Sequence, residues 1–143
     1  MEAPFTRMHF DDTDLDDLGF HDCHITNLSW DDAAFSFIVK LDYIVKWLTP
    51  GPNEQAFRFW ISAAVLVFEN VDDVEVGLQW QNARMVCCIN NLLRQEFRLT
   101  PNGTKQWHWL FDLHEPSGQI SLWATGFQLK LLDTPVLSES QRL

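Results

Sequence analysis

"FSFIVKLDY", residues 35–43, sets the fold class of this chain. Its odd positions, Phe35, Phe37, Val39, Leu41 and Tyr43, are all apolar, while Ser36, Lys40 and Asp42 interleave with Ile38 on the other side. Successive side chains of an extended chain point to opposite faces, so a period of two describes a strand with one face buried. Just upstream, "CHITNLSW" (23–30) is rich in β-compatible residues and is joined to this strand by "DDA", a connection of hairpin length. Residues 23–47 therefore read as two long antiparallel strands.

The same signal recurs downstream. "TPGPNE" (49–54) is turn chemistry, with two prolines and a glycine that a sheet interior excludes. "FRFWISAAVLVFEN" follows, with Phe57, Phe59, Ile61, Ala63, Val65 and Val67 on one face. Trp60, Ala64, Leu66 and Phe68 make the other face almost as apolar, which predicts a central strand covered on both sides. "NVDDVEV" reads as a loop or a short helical turn. From Arg84 to Phe97 the pattern admits two structures. Met85, Cys88, Ile89, Leu92 and Leu93 fall at helical spacing, whereas "MVCCI" carries strand propensity, and the neighbouring strands favour strand. After the Asn-Gly turn of "TPNGT", "KQWHWLFDLH" (105–114) places Trp107, Trp109, Phe111 and Leu113 on one face. "EPSG" then reverses the chain into "QISLWATGFQLKLL", with Trp123, Phe127, Leu129 and Leu131 aligned.

A mainly β protein follows, an antiparallel β-sandwich or open barrel with room for one short helix. The expected organisation is an acidic N-terminal segment over 1–19, a single β-rich domain over 20–133 and a C-terminal tail over 134–143. No internal repeat or low-complexity linker marks a second domain.

Composition fits this. Hydrophobic residues make up 46% of the 143, including eleven Phe, seven Trp and one Tyr, enough for one packed core. The N-terminus lacks the basic start and apolar run of a signal peptide, and no apolar run reaches the ~18 residues of a membrane span, so a cytoplasmic protein is expected. Cys23, Cys87 and Cys88 show neither disulfide-framework nor zinc-ribbon spacing and read as buried free thiols. The net charge of −10 is unevenly placed: residues 1–32 hold nine acids and one base, the remainder eleven acids and nine bases. Without a cluster of Lys and Arg, nucleic-acid binding is not expected, whereas a basic protein partner suits the acidic segment. The plainest alternative for "DDTDLDD" is a solvated, loosely ordered approach to the domain.

The most chemically loaded stretch is "FHDCHI" (20–25), which offers His21, Asp22 and His24 as a candidate polar site. If the stretch is extended, His21 and Cys23 point one way and Asp22 and His24 the other, so one strand cannot close them around a metal. His108 and His114 share a strand face but lie about 20 Å apart at ~3.3 Å per residue and cannot bind one metal together, whereas Asp112 and His114 lie only about 7 Å apart on that face and one of them could join a distant partner. "DTDLDD" matches the first three ligand positions of a calcium loop with Asp12, Asp14 and Asp16. It fails at the sixth, where Asp17 replaces the required glycine, and at the twelfth, where Cys23 replaces a bidentate glutamate. Neither a nucleophile elbow nor a Gly-rich phosphate loop is present, and Cys23 beside Asp22 is poorly placed to ionise. No cofactor, metal or catalytic set is assigned. Trp107, Trp109 and Trp123 could stack on a sugar or base, although core packing explains them more simply.

The order of these features, "HDC-I", a hairpin, "VLVFENVDDVEV" and "WLFDLHEPSGQISLWATGFQL", resembles that of small uncharacterised bacterial proteins whose first strand opens with His-Asp and a small residue. The resemblance spans roughly residues 20 to 132. Some of these proteins are regarded as immunity proteins that neutralise toxins secreted by neighbouring cells. The resemblance implies a β-rich single domain that acts by binding, and carries over no catalytic residues. The leading expectation is thus a non-enzymatic binding protein, with Asp11, Asp12, Asp14, Asp16 and Asp17 supplying a field for a basic toxin. The alternatives are a small-ligand or metal-dependent activity near His21, Asp22 and His24, and a homo-oligomeric module that buries an apolar sheet face against its own copy.

Overall fold

In a computed structural model, residues 7–79 and 87–143 are described, and they form ten antiparallel strands in one sheet that is not closed into a barrel. In chain order these are β1 (His9–Asp11), β2 (His24–Asp31), β3 (Ser36–Leu48), β4 (Arg58–Glu69), β5 (Asp72–Gln79), β6 (Cys88–Leu99), β7 (Lys105–Glu115), β8 (Ser117–Ala124), β9 (Gly126–Leu131) and β10 (Val136–Ser138). The spatial order is β1-β9-β4-β3-β2-β6-β7-β8-β5, with β10 paired to β4. Among the described residues no helix is long and apolar enough to cross a membrane.

The sheet doubles over on itself. β8 and β9 are consecutive in sequence yet belong to opposite halves of the sheet order, and Thr125 carries the chain between them, its N–H donating to the Glu69 carbonyl at 3.0 Å. The half containing β4 and β9 thereby faces the half containing β7 and β8. Phe68 of β4 is the meeting point, its ring 5.7 Å from each of Trp109, Phe111 and Phe127. All four side chains are fully buried. The alternation in β3 works as its sequence requires: Phe37, Val39, Leu41 and Tyr43 all enter the core. Phe35 does not. It lies in the hairpin turn with φ +52° and stays 68% exposed.

Three further expectations are corrected. "NVDDVEV" is neither loop nor helical turn from Asp72 onward, because β5 pairs with β8 and packs Val74 and Leu78 against the core. Cross-strand pairing here outweighs the acidic composition. In β4 the core side from Ala64 onward is Ala64, Leu66 and Phe68, while Val65 and Val67 are half-buried on the outer face, although the strand does occupy a central place between β3 and β9. The return strand after the Glu115–Pro116 turn is two strands, and the inward parity switches at Thr125: Ile120, Leu122 and Ala124 point inward in β8, and Phe127, Leu129 and Leu131 in β9. Trp123 is therefore on the outer face and not aligned with Phe127. The segments on either side of residues 20–133 also contribute to the sheet. His9–Asp11 pairs with β9, Val136–Ser138 pairs with β4, and the short helix of this fold is a 3-10 turn over Asp12–Asp17. The ambiguous stretch is strand from Cys88 to Phe97, while Arg84 and Met85 lie outside the described residues.

Truncating the ring where the halves meet leaves a cavity that both halves line. Phe68→Ala is expected to cost about 3–5 kcal/mol in urea unfolding. Gly118 tests the pairing of β5: it has φ +152°, and a Cβ there would fall on the Gly77 carbonyl and the Leu78 backbone. Gly118→Ala is expected to lower the melting temperature and increase amide exchange across Asp72–Gln79, with β9 unaffected.

Candidate functional site

Phe20–Ile25 forms a turn followed by the first residues of β2, and it is where the two halves of the sheet join laterally. The Cys23 N–H closes the turn on the Phe20 carbonyl at 3.1 Å, and Asp22 takes the left-handed conformation, φ +62°, which Asp tolerates better than most residues. Asp22 N–H donates to Ile89 O at 2.8 Å, Ile89 N–H to Cys23 O at 3.0 Å and Ile25 N–H to Cys87 O at 2.8 Å. Between them His24 and Cys88 form the ladder pair of β2 with β6.

The side chains of this turn divide into a buried and an exposed set. On the buried side, Cys23 is inaccessible and its Sγ accepts from the Ile44 N–H at 3.4 Å. Burial pushes its thiol up to about 12. His24, 8% exposed, places Nε2 3.2 Å from Cys88 Sγ, while its Nδ1 has no hydrogen-bond partner among the described residues. Burial holds the His24 imidazole below its ordinary value, the nearby Arg142 acts the same way, and Asp42 opposes them. Cys88 is likewise pushed up by burial, so the pair stays a neutral thiol and imidazole rather than an activated thiolate.

On the exposed side, Asp22 collects two imidazoles. His114 of β7 places Nε2 2.9 Å from Asp22 Oδ1, and His21 places Nε2 3.4 Å from Oδ2, with the rings 6.2 Å apart. The Gln141 amide donates to Oδ2 at 3.4 Å, and His21 Nδ1 lies 3.3 Å from the Asn90 carbonyl. Beside them stands an aromatic group: Trp47, whose ring is 6.4 Å from His21, meets Phe59 edge-on at 4.6 Å and Phe57 at 6.1 Å. This arrangement gathers two imidazoles and an amide around one carboxylate. Among the described residues, no group of three or more His, Cys, Asp and Glu is placed to hold a metal ion. The candidates of the sequence are thus only partly brought together: His21 and Asp22 meet, and His24 turns to the buried side. His114 is the partner that sequence reasoning left unassigned, since 92 residues separate it from Asp22.

The acidic candidates are more structural than their solvated appearance suggests. Asp11 caps the 3-10 turn by accepting from Thr13 N–H at 2.9 Å, and Asp14 returns the favour by accepting from Asp11 N–H at 2.9 Å. Asp14 also pairs with Arg7 at 2.7 Å, and its carboxyl is held below the usual range by the Asp11 backbone first and Arg7 second. The Asp12 carboxylate packs where a Cβ on residue 126 would stand, which explains Gly126. Asp16 and Asp17 are exposed. Of the three tryptophans considered for stacking, Trp109 is buried and Trp107 packs partly against the core under Arg94, at 4.7 Å. Trp123 alone of the three belongs to the outer face.

Compared with family models, curated proteins and solved structures, the chain gives no match.

The state of His24 sets a pH dependence. Because its folded value lies below the ordinary ~6.5, the unfolded chain binds the proton first as the pH falls. The stability present above about pH 6.5 is then lost as the pH drops through the folded value. The urea midpoint of the wild type is expected to fall between about pH 7 and 5.5, and that of His24→Gln to fall less. Equal slopes in the two proteins would remove His24 as the cause.

Proposed function

We propose that the protein is a non-enzymatic binding protein of the cytoplasm, and that it acts as an immunity protein that neutralises a bacterial toxin with a basic surface. The observation that carries this reading is the aromatic surface beside the Asp22 cluster. Trp47 and Phe57 remain 37% and 46% exposed although they meet edge-on and Trp47 is held in turn by Phe59. Pre-ordered aromatic side chains at the surface lose little entropy on association and supply the buried anchors of protein interfaces. The exposed Asp16 and Asp17, on a chain of net charge −10, add long-range attraction for a basic partner. Three buried free thiols suit a reducing compartment.

The test is co-expression with a basic toxin encoded beside the chain's own gene, followed by titration of the purified pair. Growth is expected to be restored. Trp47→Ala combined with Phe57→Ala is expected to weaken binding by about 100-fold or more, and Asp16→Asn with Asp17→Asn to slow association and flatten its salt dependence. Absence of protection by the folded wild type would overturn the reading. Unchanged affinity in the aromatic variant would remove the anchors from it.

A further inference from the structure

The outer face of β5, β8 and β7 carries a groove of about 890 Å³ that adjoins a second hollow of about 440 Å³, the two sharing Glu75, Gln119 and Ser121. The groove exists because the outward residues of β8 below Trp123 are small or polar: Ser117, Gln119 and Ser121, with Gly118 packed against β5. Its floor from Ser117 to Trp123 is about 20 Å long at ~3.3 Å per residue, the length of a six-residue extended peptide. Asp73 and Glu75 line one side, and Asp112 lines the other.

One end of this groove already holds a guanidinium. Arg98 reaches across from β6, lies 4.3 Å above the Trp123 ring and pairs with Asp73 at 2.9 Å, while His108 stacks on the same indole at 4.8 Å. An aromatic face and a carboxylate beside it both attract a cationic side chain. At the other end Ser117 is the register partner of His114, which contacts Asp22 at 2.9 Å, and His21 beside Asp22 stands 6.4 Å from Trp47.

Resting on the binding-protein reading, we propose that this groove receives an extended segment of the basic partner with Lys or Arg at alternate positions. Glu75 and Asp112 take two of its cations, and Gln119 and Ser121 meet its backbone. Side chains of an extended segment that share a face recur every ~7 Å, so Lys or Arg at alternate positions all turn toward the groove and the carboxylates on its two sides. The contacts from His114 through Asp22 and His21 to Trp47 put the aromatic surface next to this end of the groove, so one partner can reach both.

The probe is a fluorescein-labelled octapeptide of alternating lysine and serine, followed by anisotropy at low and moderate salt, with a glutamate-serine octapeptide as control. The lysine peptide is expected to bind at least tenfold more tightly than the control. Glu75→Gln with Asp112→Asn is expected to weaken it at least tenfold. Asp32→Asn with Asp133→Asn, the same charge change at exposed positions outside the groove lining, is expected to change it less than twofold. Equal losses in the two double variants would show diffuse attraction to an acidic chain and overturn the proposal, as would tighter binding of the glutamate peptide. If the toxin of the co-expression test binds the Glu75/Asp112 variant as tightly as wild type, the groove falls while the binding reading stands. If no toxin is neutralised but the peptide behaves as expected, the groove stands and the immunity role falls.

Discussion

The contact of Phe20–Ile25 with Cys87–Ile89 decides whether this sheet has one half or two. Within the described residues β2 and β6 share a single ladder pair, reinforced by three backbone hydrogen bonds around it. Each of those groups would otherwise be a buried donor or acceptor without a partner, which costs more than the net worth of the bond. So few bonds cannot by themselves hold two half-sheets together. The apolar surface between them does that, centred on Phe68 and its three aromatic neighbours. The seam's part is to fix the register in which that surface is buried, since a one-residue slip would turn every side chain of a strand to the wrong face.

The opposite end of the fold needs a second fastening, and it is polar. Gln106 is buried, yet its amide donates to Asn70 O at 2.9 Å and Asp72 Oδ2 at 2.8 Å, and its carbonyl accepts from Arg98 Nε at 2.9 Å. A buried carboxamide with its groups engaged adds specificity without an unsatisfied penalty. Asn70 donates in turn to Thr125 Oγ1 at 3.0 Å, where the chain crosses between halves. The β4–β5 turn, the start of β7 and the crossing are thus one network, and it holds Arg98 and Asp73 where they meet Trp123.

Much of this was legible in the sequence and some was not, for identifiable reasons. The alternation from Phe37 to Tyr43 and from Trp107 to Leu113 reports burial directly, because one face of each strand meets the core. The parity switch at Thr125 left no such mark. Trp123 and Phe127 are both aromatic at odd positions, and nothing local distinguishes a tryptophan on an outer face from one in the core. Gly126 was the available hint, since a glycine within a strand often records the close approach of another segment, here the Asp12 side chain. β5 was missed because its acids face solvent on an edge strand, where composition is that of a loop. The pairing of His114 with Asp22 depends on the order of β2, β6 and β7, which no local pattern encodes.

The seam also explains why the loaded stretch around Asp22 divides its chemistry between two environments. A strand entering β2 without the left-handed residue would alternate regularly and send His21 and Asp22 to opposite faces. The positive φ at Asp22 breaks that alternation and lets His21 and Asp22 share the exposed side, where His114 arrives from β7. Cys23 and His24 are then left to the interior, where burial keeps both uncharged. The conformation that builds the join therefore also sets an ionisable cluster on the surface at the end of the outer groove, with the core sealed behind it by groups that do not ionise readily. A partner lying along β8 would meet carboxylates first, then the imidazoles, then Trp47, in an order imposed by the fold of the sheet rather than by any run of sequence.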